Sequence, residues 1–313
     1  MNVAFVFPGQ GSQFVGMGQE LAEAFPVARQ VFQEIDEALG QALSKLMFKG
    51  PIDELTLTIN AQPALMAVSM AIMRILEKEG GLEIAKVASF VAGHSLGEYS
   101  ALAAVKSFGL FDAARILKIR GKAMQEAVPI GDGAMAAILG VDMDMVISIA
   151  AEAAQGEVCS IANDNAVGQI VISGTTSAVN RAIEIATKKG AKRCMLLPVS
   201  APFHCAMMDS AADVMDRELA AMIIDKPIVP LVANVVAKEK TAPNEIRRLL
   251  VQQVTARVRW RESVLFMRDN GVDTLVEVGA GKVLTGLTRR IDRELKGISI
   301  QGPNDIDDFL GSF

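Results

Sequence analysis

A serine framed by two glycines, in Gly93-His94-Ser95-Leu96-Gly97, has the clearest chemical potential in this chain. The spacing fits a nucleophile elbow, where a strand runs into a sharp turn and then a helix, leaving the hydroxyl exposed. Side chains at the two glycine positions would collide with the neighbouring strand and helix. A serine hydroxyl is a weak acid, so it needs a base of near-neutral pKa, and histidine is the usual one. The chain has two histidines. His94 flanks the serine and points elsewhere in such a turn, which leaves His204 as the candidate base. The Leu96 N–H, at the start of the following helix, is suited to stabilise an oxyanion. No triad carboxylate is identifiable: Asp209 on the next predicted helix is one option, and a backbone carbonyl orienting the histidine is the other.

Arg120 is the most informative charged residue. Three, four and seven positions away on its predicted helix stand Ala113, Ile116, Leu117, Ala123, Met124 and Ala127, so Arg120 projects from the apolar face. Arg115 and Lys118 fall on the polar flank. A buried arginine needs an anionic partner, either an internal carboxylate or the carboxylate of a substrate held bidentately. Pro8-Gly9-Gln10-Gly11-Ser12 follows the first strand, where α/β proteins bind ligands, but lacks the third glycine of a nucleotide fingerprint. Gly279-Ala280-Gly281-Lys282-Val283 lacks phosphate-loop spacing and reads as a strand-to-helix turn. Cys159, Cys194 and Cys205 show no metal-ligand spacing, and no metal is expected.

These groups need a scaffold. The 313 residues are 51% hydrophobic and 21% charged, with net charge −5, which suits a folded protein and disfavours a nucleic-acid partner. The longest apolar run, Ala61 to Leu76, is broken by Gln62, Pro63, Ser69 and Arg74, and reads as a buried helix rather than a membrane span. No signal peptide is visible, and the odd cysteine count suits a reducing cytoplasm. Short β-rich runs alternate with longer helical ones, the pattern of an α/β fold with a mainly parallel sheet. Strands are expected at Val3–Phe7, Val87–Ala92, Val229–Val232 and Thr274–Val278. Helices are expected at Ala61–Lys78, Leu96–Val105, Asp112–Ala127, Met207–Ile223, Glu245–Val254 and Trp260–Asn270.

From about Gly133 to Val199 the order becomes βαββαβ, the ferredoxin-like split unit, with Asp142 as the cap of its first helix. Its parts are Ala134–Leu139, Met143–Ala154, Val158–Ala162, Gln169–Ser173, Ser177–Lys188 and Arg193–Leu197. This gives a discontinuous large domain, 1–128 with 201–313, and an inserted small domain, 129–200. Ser95 then comes from the large body and His204 from just past the return crossing, with a cleft between them.

Together these residues resemble the malonyl-CoA:acyl carrier protein transacylases of fatty acid synthesis. The likeness rests on Phe5-Val6-Phe7-Pro8-Gly9-Gln10-Gly11-Ser12-Gln13, Gly93 to Tyr99, Arg120-Gly121, Pro202-Phe203-His204, Glu277-Val278-Gly279 and Lys282-Val283-Leu284. It runs to about residue 293. The resemblance implies a hydrolase-like large domain carrying a ferredoxin-like insert. It implies that Ser95 takes malonyl from coenzyme A and passes it to the phosphopantetheine thiol of acyl carrier protein, with His204 as base and then acid. It further implies an oxyanion hole of the Gln10 and Leu96 N–H groups, Arg120 clamping the malonyl carboxylate, and the Gln253 carbonyl orienting the histidine. Phe203 matches malonyl-selective relatives. No bound cofactor is implied. Carrier protein is acidic, and Lys188, Lys189, Lys192 and Arg193 form a candidate docking cluster.

Three rival readings remain at this point. A serine hydrolase orders its triad serine, acid, histidine, with the histidine near the chain end, unlike His204. A patatin-like lipase would use Asp132 of Asp132-Gly133-Ala134 as its acid. A non-catalytic carrier-binding module would leave Ser95 unmodified.

Overall fold

The computed structural model describes residues 2–199 and 201–311. Its ten strands are β1 (Val3–Phe7), β2 (Ala88–Gly93), β3 (Gly133–Leu139), β4 (Cys159–Ala166), β5 (Gln169–Thr175), β6 (Arg193–Leu196), β7 (Leu231–Ala233), β8 (Lys238–Lys240), β9 (Thr274–Val278) and β10 (Lys296–Ile300). They form a six-stranded sheet of order β10-β9-β1-β2-β7-β8 and a four-stranded sheet of order β4-β5-β3-β6. The mixed α/β class with a mainly parallel sheet is borne out. All pairs in the larger sheet are parallel except β7 with β8.

β1 is buried at every residue, as an unbroken apolar run covered by helices on both faces must be. Its neighbour in the core is the helix Thr58–Lys78, which is long and apolar enough to cross a membrane. However, 83% of its most apolar window is buried within the fold, so it is a core helix. The smaller sheet is antiparallel throughout. Its period-two alternation separates two faces. Ala136, Ile138, Ile170 and Ile172 pack under the helices Met143–Ala154 and Thr176–Lys188, while Met135, Ala137 and Val171 join the main core. Asp142 caps the first of these helices, its carboxylate accepting the Met145 N–H at 2.8 Å.

The expected strand Val229–Val232 begins two residues late, because Pro230 has no N–H to give the ladder. The expected helix Met207–Ile223 is a 3₁₀ turn, Ala206–Met208, followed by a helix over Asp209–Ala221. Residues 19–56 hold four short helices, and β8 and β10 flank the larger sheet, none of them expected. Lys238-Glu239-Lys240 has no apolar pattern, and Gly297 interrupts Lys296–Ile300.

The glycines flanking Ser95 hold sheet and helix at contact distance. A Cβ on Gly93 would lie 1.9 Å from the Gly97 carbonyl, and one on Gly97 would lie 2.2 Å from the Phe7 oxygen. Both obstacles are backbone and cannot rotate away. Gly93→Ala should therefore cost more than about 4 kcal/mol or prevent folding. Gly286 lies inside the helix Val283–Ile291 with open space at its Cβ position. Gly286→Ala should raise stability by roughly 0.5–1 kcal/mol. Denaturant unfolding of the two variants checks both values.

Candidate active site

Ser95 sits at the junction of β2 and the helix Gly97–Ala104 with φ of 54°, a left-handed value rare for a residue with a side chain. Asn234, just after β7, holds this turn from two sides. Its Oδ1 accepts the Ser95 N–H at 2.8 Å and its Nδ2 donates to the Gly93 carbonyl at 2.7 Å. Gly9 lets the loop after β1 come close, since a Cβ there would lie 2.7 Å from the His94 oxygen. The N–H groups of Gln10 and Leu96 have no acceptor among the described residues. The Gln10 side chain is tied back to Thr58 Oγ1 at 3.1 Å. His94 points away from the hydroxyl, bonding Asn165 Oδ1 at 2.8 Å beside the Trp260 ring.

His204 is buried, and its Nε2 lies 2.9 Å from Ser95 Oγ. Nδ1 lies 2.8 Å from the backbone carbonyl of Gln253. A carbonyl only accepts, so Nδ1 carries the proton and Nε2 presents its lone pair to the serine. Burial, and then the charge of Arg120, push the imidazole down to about 3 from an ordinary 6.5. It is neutral at neutral pH. Of the two options for orienting it, the carbonyl is the one found: Asp209 is exposed at the start of its helix, and Asp132 is exposed in the turn before β3.

Arg120 is 1% exposed, on the buried face of the helix Leu110–Glu126 as its spacing predicts. Its Nη1 donates to Gln62 Oε1 at 2.7 Å, and Nη2 donates to Gln253 Oε1 at 2.9 Å and to Ser95 Oγ at 3.1 Å. The guanidinium also lies over the Tyr99 ring, 5.5 Å from its centroid. No carboxylate pairs with Arg120 among the described residues, and its buried Nε–H has no acceptor. Leaving such a cation without a paired anion costs several kcal/mol.

A cavity of about 510 Å³ opens over these groups, walled by Gln10, Ser95, Leu96, Arg120 and His204 from one side and Met135, Asn163 and Leu197 from the other. Arg120, His204 and the serine hydroxyl thus face one chamber. The arrangement can deprotonate the hydroxyl, hold a carboxylate some ångströms away and donate two backbone N–H groups to a developing oxyanion. Polar residues that shape it but were not singled out from the sequence include Gln62, Glu98, Asn163, Asn165 and Asn234. Gln62 offered the same signal as Arg120, a polar group on an apolar helix. Asn234 had none, because its role depends on β7 lying beside β2.

The acyl transferase domain family matches residues 4–300. Malonyl CoA-acyl carrier protein transacylase of Escherichia coli (strain K12) is 47% identical over 301 residues, covering 96% of each chain. The crystal structure of the acyl-carrier-protein-S-malonyltransferase from Bartonella henselae is 54% identical, with a TM-score of 0.98 over 100% of this chain and 99% of that one. A malonyl-transacylase in complex with its type II PKS acyl-carrier protein is 43% identical, with a TM-score of 0.97 over the whole of both chains. This chain is an acyltransferase and belongs to the acyl transferase family, among its malonyl CoA-acyl carrier protein transacylases.

Proposed function

We propose that this protein moves the malonyl group of malonyl-CoA to the phosphopantetheine thiol of acyl carrier protein through a malonyl ester on Ser95. One observation carries the reading. The same hydroxyl lies 2.9 Å from a neutral imidazole and 3.1 Å from a guanidinium that has no internal carboxylate partner. A hydrolase of neutral esters has no use for that cation.

Ser95 Oγ attacks the thioester carbonyl while its proton passes to His204 Nε2. The Gln10 and Leu96 N–H groups receive the oxyanion, and collapse expels the CoA thiolate, which takes the proton from His204. The carrier thiol then enters, gives its proton to the same nitrogen, attacks the ester carbonyl and returns Ser95 to its hydroxyl form. Arg120 clamps the malonyl carboxylate throughout. That carboxylate offsets the positive charge that depresses His204, so the base strengthens once the acyl group is in place. No electrons change hands, and no resident cofactor is needed. The free cysteines suit a reducing cytoplasm.

Two structural readings support the mechanism. We take the β2–Ser95–helix junction as a nucleophile elbow, on the strength of its positive φ and the glycine contacts. We take residues 129–200 as a ferredoxin-like insert between the halves 1–128 and 201–313 of a hydrolase-like domain, because the order β4-β5-β3-β6 with two helices on one face fits that unit.

Of the basic cluster, Lys189 pairs with Glu152 at 2.6 Å. Lys188, Lys192 and Arg193 are exposed, without an ion pair among the described residues, and β6, which starts at Arg193, ends one residue before Leu197 at the cavity wall. This supports carrier-protein docking there. Reversing Lys192 and Arg193 to Glu should flatten the salt dependence of carrier-protein turnover. An unchanged dependence removes the assignment.

Intact mass spectrometry tests the central step. Mixing with malonyl-CoA should add one malonyl group to the protein, and Ser95→Ala should abolish it. His204→Ala should slow acylation by at least about a hundredfold, in keeping with loss of a general base. An unmodified wild-type protein, or hydrolysis that needs no thiol acceptor, refutes the reading. Arg120→Ala should lower malonyl transfer about a hundredfold, as for a desolvated charge pair, while acetyl transfer falls less or rises. Equal loss for the two acyl groups excludes the clamp.

A further inference from the structure

We propose that Glu98 is a positioning residue which tunes the site for acyl groups ending in a carboxylate, by fixing the Gln253 amide between itself and Arg120. The proposal rests on the malonyl reading above. Glu98 stands three residues after Ser95, in the first turn of the helix Gly97–Ala104, and is 1% exposed. Its Oε2 accepts the Asn234 N–H at 3.2 Å and the Gln253 Nε2 at 2.7 Å. Gln253 Nε2 also donates to the Ser95 carbonyl at 3.0 Å, and its Oε1 accepts from Arg120 Nη2 at 2.9 Å. The amide is therefore polarised in one sense, with donors toward Glu98 and Ser95 and its acceptor toward Arg120. Turned over, it would set oxygen against a carboxylate and a carbonyl, and an NH₂ group against a cation. All three contacts would be repulsive.

The interposed amide resolves a conflict. A buried guanidinium without any counter-charge is costly, yet a direct salt bridge would occupy the fork that a substrate needs. Glu98 and Arg120 interact electrostatically without forming an ion pair. Glu98 thus supplies a nearby negative charge without itself taking up the fork, whose present acceptors are all neutral. Burial pushes its carboxyl up to about 7, opposed by Gln253, Asn234 and Arg120. Arg120 and Tyr99 are the titratable groups acting on it, while Gln253 and Asn234 are neutral. A substrate carboxylate on Arg120 repels ionised Glu98, so protonating Glu98 favours malonyl over acetyl. Selectivity should rise as pH falls through about 7. His204, at about 3, does not titrate in that window.

The test compares kcat/KM for acylation by malonyl-CoA and acetyl-CoA between pH 6 and 8, in the wild type, Glu98→Gln and Glu98→Ala. The glutamine retains an oxygen for Gln253 and Asn234. It should keep the high malonyl-to-acetyl ratio that the wild type shows at pH 6 and hold it flat to pH 8. The alanine releases the amide and should lower the ratio at least about tenfold, the scale of a hydrogen bond to a charged group. A Glu98→Gln enzyme that keeps the wild-type pH slope overturns the proposal, and this arm decides if the alanine variant does not fold. Equal loss for both acyl groups in Glu98→Ala also overturns it. A wild type that takes no malonyl at all overturns the proposed function instead, and this proposal with it.

Discussion

The site depends on one hydrogen bond, from His204 Nδ1 to the Gln253 carbonyl at 2.8 Å. It fixes the tautomer and the ring orientation, which a carboxylate would also do. The difference is charge. A carboxylate in that place would stand as a full negative charge beside a cavity meant for an anionic acyl group. At about 6 Å and an effective dielectric constant of about 20, the repulsion would be roughly 3 kcal/mol, or about a hundredfold in binding. It would also claim Arg120 as its partner. A neutral acceptor leaves the guanidinium as the dominant field in the chamber. The carboxyl that does stand near it, Glu98, is itself held up at about 7 and separated by an amide.

The site also carries strain in its backbone. Ser95 and His204 both adopt left-handed φ values, 54° and 61°, which cost an L-residue about 1–2 kcal/mol each. The serine turn is over-determined by Asn234, which bonds its N–H and the Gly93 carbonyl, and by the Gly93–Gly97 contact below it. Asn234 is aligned because β7 pairs with β2 in register at Val91–Leu231 and Ala92–Val232. Sheet pairing therefore sets the direction of the hydroxyl. Gln253 carries three duties from the end of one helix: its carbonyl serves His204, its Oε1 serves Arg120, and its Nε2 holds the Ser95 carbonyl.

Much of this was legible from local sequence, where one residue's surroundings settle its role. β1 and β9 are observed at the expected residues, β1 as a fully apolar run and β9 as a β-branched-rich run, each bounded by turn residues. Arg120 was found by helical spacing alone. The order of strands in the insert was equally visible, because each strand alternates cleanly with a helix or a short turn. What stayed hidden was set by contacts between distant segments. Nothing around Asn234 or Glu98 states that they meet Gln253. Within the candidate basic cluster, Lys189 is paired with Glu152, 37 residues away in the chain, which no local pattern states. Edge strand β8, made of charged residues, exists through pairing with β7 rather than through any pattern of its own.

The cleft between the two sheets is closed by fixed contacts rather than left to a hinge. β4 loses register between Ile161 and Asn163, and the irregularity turns three consecutive residues toward the larger body. Asn163 forms a bridge with Val258, Asp164 grips Arg261 through both its oxygens, and Asn165 holds His94. Separating the bodies would break this ion pair and two backbone bonds to Val258. The chamber is therefore preformed, and shielding of an acyl-serine from water must come from what fills it. On the proposed reading, an acyl group whose carboxylate is held on Arg120 would fill the chamber that Arg120 and His204 both line, leaving less room there for an attacking water. On the proposed reading, the cation that selects the substrate would then also protect the ester until a thiol arrives.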